Sequence, residues 1–264
     1  MKYLALIITL LIISTNIFSQ EIFMKIRKND SSITSIAISN VDSVRFEEVY
    51  PTCEPVTDYD GNTYQTILIG YQCWMAQNLK VTHYPNGNPI PLITNASSWA
   101  SLNDNNIDDA YCIYNDNANN ELSIYGCLYS FAAAIGDNWT NDNNNLQGVC
   151  PDGWHIPSND EWDELNAFLG TNAASQLAGF ASLWEDDYLE ANSGFGASGF
   201  VALPGGIRFN YDGVFYQKGE SANFWSSTNN NEQAYFYRIN YNNSALYHYL
   251  LNKSQGNSVR CIKD

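Results

Sequence analysis

The stretch Cys150–Gly170, Cys-Pro-Asp-Gly-Trp-His-Ile-Pro-Ser-Asn-Asp-Glu-Trp-Asp-Glu-Leu-Asn-Ala-Phe-Leu-Gly, constrains this chain more than any other, because turn, cap, helix and stop signals all agree there. Ser158 followed three residues later by Glu161 is a capping box, in which each side chain satisfies a free backbone N–H of the other's residue. Trp162, Leu165, Phe168 and Leu169 fall on one helical stripe, and Gly170 stands where a helix often ends in a left-handed residue. The spacing predicts a short amphipathic helix over 159–169 with its aromatic face inward.

The rest of the chain divides around that helix. Residues 1–20 read as a signal peptide: Lys2, an apolar run from Tyr3 to Ile13, then small and polar residues. That run is well short of the roughly 20 residues a membrane span needs, so no membrane insertion of the mature chain is expected. Residues 21–49 alternate like short strands, from Phe23 to Arg27, Ile33 to Ile38 and Val41 to Phe46, and form a small β-rich unit with the role of a spacer or docking strand. A linker occupies 50–55, and the main domain runs over 56–264.

Export makes six cysteines more suited to disulfides than to metal or catalysis. No Cys-x-x-Cys pair exists and only three His accompany them, which argues against zinc. Locality suggests Cys53–Cys73 and Cys112–Cys127, leaving Cys150–Cys261 to close a long loop. Five basic and five acidic side chains balance within residues 1–50, so the formal net charge of −16 falls on 51–264. Such a surface repels nucleic acid and anionic lipid, and leaves neutral ligands, proteins and cations as partners.

Along the main domain, Asp60-Gly61 supplies the positive φ of a hairpin turn, and the Asp-x-Asp-Gly run lacks the later acidic ligands of a calcium loop. Ile124, Leu128, Phe131 and Ile135 fall at helical spacing. A further helical piece is expected over 173–180, and aromatic strands then continue to the end of the chain. Two main helices within a chain of curved antiparallel strands make an α+β fold.

Several segments together resemble a known family. Val56-Thr57-Asp58-x-Asp60-Gly61-Asn62-x-Tyr64, Cys73-Trp74-Met75-Ala76, Cys150-Pro151-x-Gly153-Trp154-His155-Ile156-Pro157, Trp225-Ser226-Ser227-Thr228 and Ser258-Val259-Arg260-Cys261 occur in order. They are similar to the Fibrobacter succinogenes major paralogous domain, carried by exported and cell-surface bacterial proteins. More distantly, Gly153-Trp154-His155-Ile156-Pro157-Ser158-x-x-Glu161-Trp162 and Arg260 resemble formylglycine-generating sulfatase-modifying enzymes, and imply their C-type-lectin-like fold. The paired cysteines those enzymes use for copper are missing, because Cys261 has no neighbouring cysteine.

Candidate chemistry is sparse. Gly194-Phe195-Gly196-Ala197-Ser198-Gly199 spells a dinucleotide fingerprint without the strand and helix that motif requires. His155 is better read as structural than as a general base, and Ser158, Glu161, Trp154, Trp162, Trp225 and Arg260 as scaffold. No cofactor is implied, and calcium is the one ion to weigh: Glu185, Asp186, Asp187 and Glu190 cluster, although such runs are usually solvated faces. Tyr235, Tyr237 and Tyr241 share one strand face, with Tyr247 and Tyr249 on the return strand. An exposed aromatic row of this kind stacks on sugar rings, whereas a buried one is core. The reading is a secreted or cell-surface, non-enzymatic binding or adhesion module for glycan or a surface protein. A glycan-processing or protein-modifying enzyme on the same scaffold, or a structural surface-assembly subunit, are the alternatives.

Overall fold

The computed structural model describes residues 23–27, 33–37, 39, 52–117, 120–136, 146–230 and 232–264. The signal peptide over 1–20 and the strand expected over 41–46 lie outside them. The chain divides into two compact units, Met1–Tyr50 and Pro51–Asp264. In the first, Phe23–Arg27 pairs antiparallel with Ile33–Ala37, Phe23 opposite Ala37. Two strands alone are at best marginally stable in water.

The second unit mixes short helices with small antiparallel sheets. It opens with the hairpin Val56–Thr57 and Thr63–Tyr64, turned at Gly61 with φ +83°. The Asp58 carboxylate fixes this turn by accepting hydrogen bonds from the Asn62 N–H (2.9 Å) and the Tyr64 hydroxyl (2.6 Å). A four-stranded sheet follows in the order Thr66–Ile69, Gln72–Met75, Ile262–Lys263, Trp154–His155. Its third strand comes from the far end of the sequence and lies antiparallel between two earlier ones.

A three-stranded antiparallel sheet, Ser221–Asn229, Gln233–Asn240 and Tyr247–Asn252, divides the core. Trp225 pairs with Phe236 on one face and joins a cluster with Phe131, Met75 and Val259. Phe224 pairs with Tyr237 on the other and joins Trp74, Trp162 and Phe200. Because side chains alternate along a strand, neighbouring aromatics feed two separate cores.

The helix Asn159–Leu169 forms as its sequence dictates. Ser158 and Glu161 make both bonds of the capping box, and Gly170 ends the helix at φ +77°. Trp162 and Leu165 are buried, whereas Phe168 is 62% exposed and lies over Gly70. The stripe is therefore narrower than its spacing implied.

The second main helix does not form. Glu121–Tyr125 is helical, Leu128–Tyr129 is a strand, and Phe131–Ile135 is a new helix. Gly126 breaks the run at φ +74°, pressed so closely on the Leu79 carbonyl that a Cβ would lie 2.6 Å from it. Ser130 then caps the next helix by accepting from the Ala133 N–H. Pairing with Tyr111–Cys112 outweighs the helical spacing of the apolar residues between.

Candidate functional site

The tyrosine hairpin does not form one platform. Register places Tyr247 opposite Arg238 and Tyr249 opposite Phe236, on one face, while Tyr237 lies opposite His248 on the other. Tyr237 is buried and stacks on Trp162, centroids 5.0 Å apart and planes at 16°. Its hydroxyl donates to Asp163 at 2.8 Å, and burial followed by that bond pushes its ionisation up. Tyr235 is half-buried against the edge of His248, and Tyr241 is half-buried against the Trp162 cluster. An antiparallel return strand shows its own alternation to each face, and the two sets of tyrosines fall on opposite sides.

Tyr247 and Tyr249 remain as a pair, 37% and 48% exposed, with ring centroids 6.2 Å apart and planes at 29°. They stand on the strand Tyr247–Asn252, which among the described residues pairs with Gln233–Asn240 alone. Arg238, on the middle strand, is the cross-strand partner of Tyr247. Its Nη2 donates to the Gln217 amide oxygen and to Ser221 Oγ, and its buried Nε has no partner. Burial lowers the pKa of this guanidinium. Two stacked phenols beside a half-buried guanidinium offer an apolar face and polar groups together. The five-tyrosine row thus contracts to Tyr247 and Tyr249, and it gains Arg238, which strand alternation sets on the face opposite Tyr235 and Tyr237.

The acidic residues are not gathered. Glu185, Asp186 and Asp187 are exposed and Glu190 is half-buried, and Asp187 caps the helix Tyr188–Ala191 by accepting from the Tyr188 N–H. Among the described residues no three His, Cys, Asp or Glu side chains converge on a metal position. The Gly194–Gly199 run lies in turns, with Gly196 and Gly199 at positive φ and no helix after it to receive a phosphate.

Residues read as scaffold are tightly engaged. Trp154 is buried, and Trp225 donates through its indole N–H to the Tyr129 carbonyl at 2.8 Å. His155 is held between Glu161 at 2.8 Å and Asp264 at 2.7 Å. Burial opposes the imidazolium, but the two carboxylates outweigh it and its pKa rises. Glu161 is likewise opposed by burial, yet His155 and Ser158 hold its pKa down. Arg260 is wholly buried between the rings of Phe200 and Phe224 and donates to the Met75, Phe200 and Val201 carbonyls and the Asn78 amide oxygen. Burial lowers its pKa to about 9. Sequence reasoning missed Arg208, buried between Trp99 and Phe215 at 4.6 Å from each ring and donating to three backbone carbonyls. Its only signal was the Gly205-Gly206-Ile207-Arg208 run.

Disulfides join Cys53 to Cys73 and Cys150 to Cys261. Cys112 and Cys127 are instead buried free thiols. Cys112 packs with Trp99 and Leu128, while Cys127 packs with Ile113 and Tyr129 in a different core cluster. Cys112 and Leu128 are cross-strand partners, so Cys127, one residue before Leu128, faces the opposite side. Burial pushes the Cys112 thiol up to about 12 and the Cys127 thiol higher, which makes both unreactive at neutral pH.

No curated protein matches this chain, and no solved structure does. The family model for the Fibrobacter succinogenes major domain matches residues 67–263, which include the four-stranded sheet from Ile67 on, the capped helix, the buried Arg260 and the tyrosine pair. The chain therefore belongs to the Fibrobacter succinogenes major domain family.

Proposed function

We infer that this protein is an exported, non-enzymatic binding module with a C-type-lectin-like domain, and that it recognises glycans through Tyr247, Tyr249 and Arg238. The observation that carries the reading is the exposed tyrosine pair, parallel within 29°, with Arg238 opposite Tyr247 in the register. Sugar rings present apolar C–H faces to such phenols and hydroxyls to such donors. The two disulfides fit an oxidising, extracellular setting, and among the described residues no helix is long and apolar enough to cross a membrane. The fold assignment is supported by the place of the resemblance-bearing residues: Trp154, Trp162 and Arg260 all sit in the core around the capped helix and the closing strand.

Glycan-array binding by the mature chain tests the function, with Tyr247→Ala and Tyr249→Ala as controls. Binding to a defined set of glycans that both variants lose is the expected result. Binding to no glycan together with tight binding to a surface protein would replace the lectin reading with an adhesion one.

A further inference from the structure

A groove of about 540 Å³ shares no lining residue with the tyrosine pair; it is bordered by Ile124, Phe180, Leu183, Val201 and Leu203, with Lys80 among them. Its size falls within the roughly 300–1,000 Å³ of small-molecule sites. Phe180 is 65% exposed and Ile124 44% exposed, so apolar surface is left open to water here.

The groove is preformed at a cost in backbone strain. Phe180 and Val201 both adopt left-handed conformations, at φ +51° and +56°. For a β-branched residue this is an outlier that persists only where the surroundings enforce it. Arg260 enforces it from behind: its Nη2 donates to the Val201 carbonyl at 2.7 Å, and its Nε donates to Asn78 at 2.7 Å. Gly179 lets the two loops close, because a Cβ there would lie 2.7 Å from a Val201 methyl.

The polar groups around the groove are mostly engaged with the protein itself. The Tyr64 hydroxyl donates to Asp58 and accepts from the Lys80 N–H. Asn78 donates to the Tyr125 carbonyl and Ser258, and the Gln77 oxygen accepts from the Gln65 N–H. Lys80 differs: among the described residues its ammonium has no hydrogen-bond or ion-pair partner. Lys218, by contrast, is paired with Glu121 and Lys263 with the Thr52 carbonyl. An unpaired cation on a domain carrying the whole net charge of −16 is the complementary group for a single negative charge.

We propose that this groove binds a small amphiphilic carboxylate, its apolar body against Ile124, Phe180, Leu183 and Leu203 and its carboxylate on the Lys80 ammonium. A hydroxyl-rich ligand would find few unoccupied acceptors, and a polyanion would meet only one cation. The residues are distinct from the tyrosine pair, so the site stands or falls independently of glycan binding.

Calorimetric titration of the mature chain with octanoate, 1-octanol and octyltrimethylammonium tests it. Octanoate is expected to bind about tenfold tighter than octanol, the worth of one charge-assisted hydrogen bond, and the cation weakest of all. Lys80→Gln should bring octanoate down to the level of octanol and leave octanol unchanged, while Ile124→Asp, at an exposed position, should weaken both. Equal binding of octanoate and octanol, octanoate binding unaltered by Lys80→Gln, or no saturable binding of any probe would overturn the proposal.

Discussion

The capped helix Asn159–Leu169 and the outer strand Tyr247–Asn252 share a structural theme, aromatic side chains beside a hydrogen-bonded frame, yet they put it to opposite uses. Around the helix the aromatic and charged groups are buried against one another: Trp162 contacts Trp74, Phe200, Phe224 and Tyr237 within 6 Å of ring centroids, His155 binds two carboxylates, and Cys150 is bonded to Cys261. On the outer strand Tyr247 and Tyr249 face water. Aromatic rings packed on one another make a region rigid and mute, whereas aromatic rings left facing water are a surface that a ligand can cover.

Breaking the helix region should therefore cost stability, and breaking the strand should cost only binding. The largest loss is expected for Cys150→Ser combined with Cys261→Ser, which frees a loop of sequence separation 111. Urea denaturation should register ~4–5 kcal/mol on the chain-entropy account. Trp162→Ala follows, at about 3–5 kcal/mol by the same measurement, because the cavity opens beneath four other rings.

The His155 cluster gives a smaller, pH-shaped effect. The raised His155 pKa contributes stability that is complete below its ordinary 6.5 and disappears as pH rises through the folded value. The lowered Glu161 pKa contributes stability that is complete above its ordinary 4.5 and disappears as pH falls through its folded value. Both are present between about 4.5 and 6.5, so thermal melts across pH should peak there for the native chain and flatten on the alkaline side in His155→Asn. An unaltered alkaline limb would remove His155 from the account. Smallest of all, Tyr247→Ala and Tyr249→Ala should each shift stability by no more than about 0.5 kcal/mol while abolishing glycan binding. A loss as large as that of Trp162→Ala would erase the distinction between the two regions.

Features set by neighbours along the chain are legible in the amino-acid sequence itself. Ser158 and Glu161 announce a capping box by spacing alone, and Gly61 and Gly170 mark turns through the backbone freedom they supply. Features that depend on distant pairing are not. Nothing local to 124–135 reveals that Gly126 presses on Leu79, so a helical pattern of apolar residues misleads. Cys112 and Cys127 are close in sequence, but strand alternation turns them into different core clusters. The tyrosine row fails for the same reason, because the return register that separates Tyr237 from Tyr249 is invisible in either strand. The groove leaves no trace in the sequence, since its Lys80, Ile124, Phe180 and Val201 come from four separated segments and share no motif.

The strand Ile262–Lys263 also fixes the order of events in time. It is synthesised after both of its neighbours, Gln72–Met75 and Trp154–His155, and it fills the gap between them. Until it arrives Cys150 lacks its thiol partner, and the carbonyls of Met75, Phe200 and Val201 lack the Arg260 donors. Closure therefore waits for contacts of very large sequence separation, which are slow to form. A nascent chain therefore cannot complete this domain before Ile262–Lys263 is made, and everything synthesised earlier must wait for it in an open state.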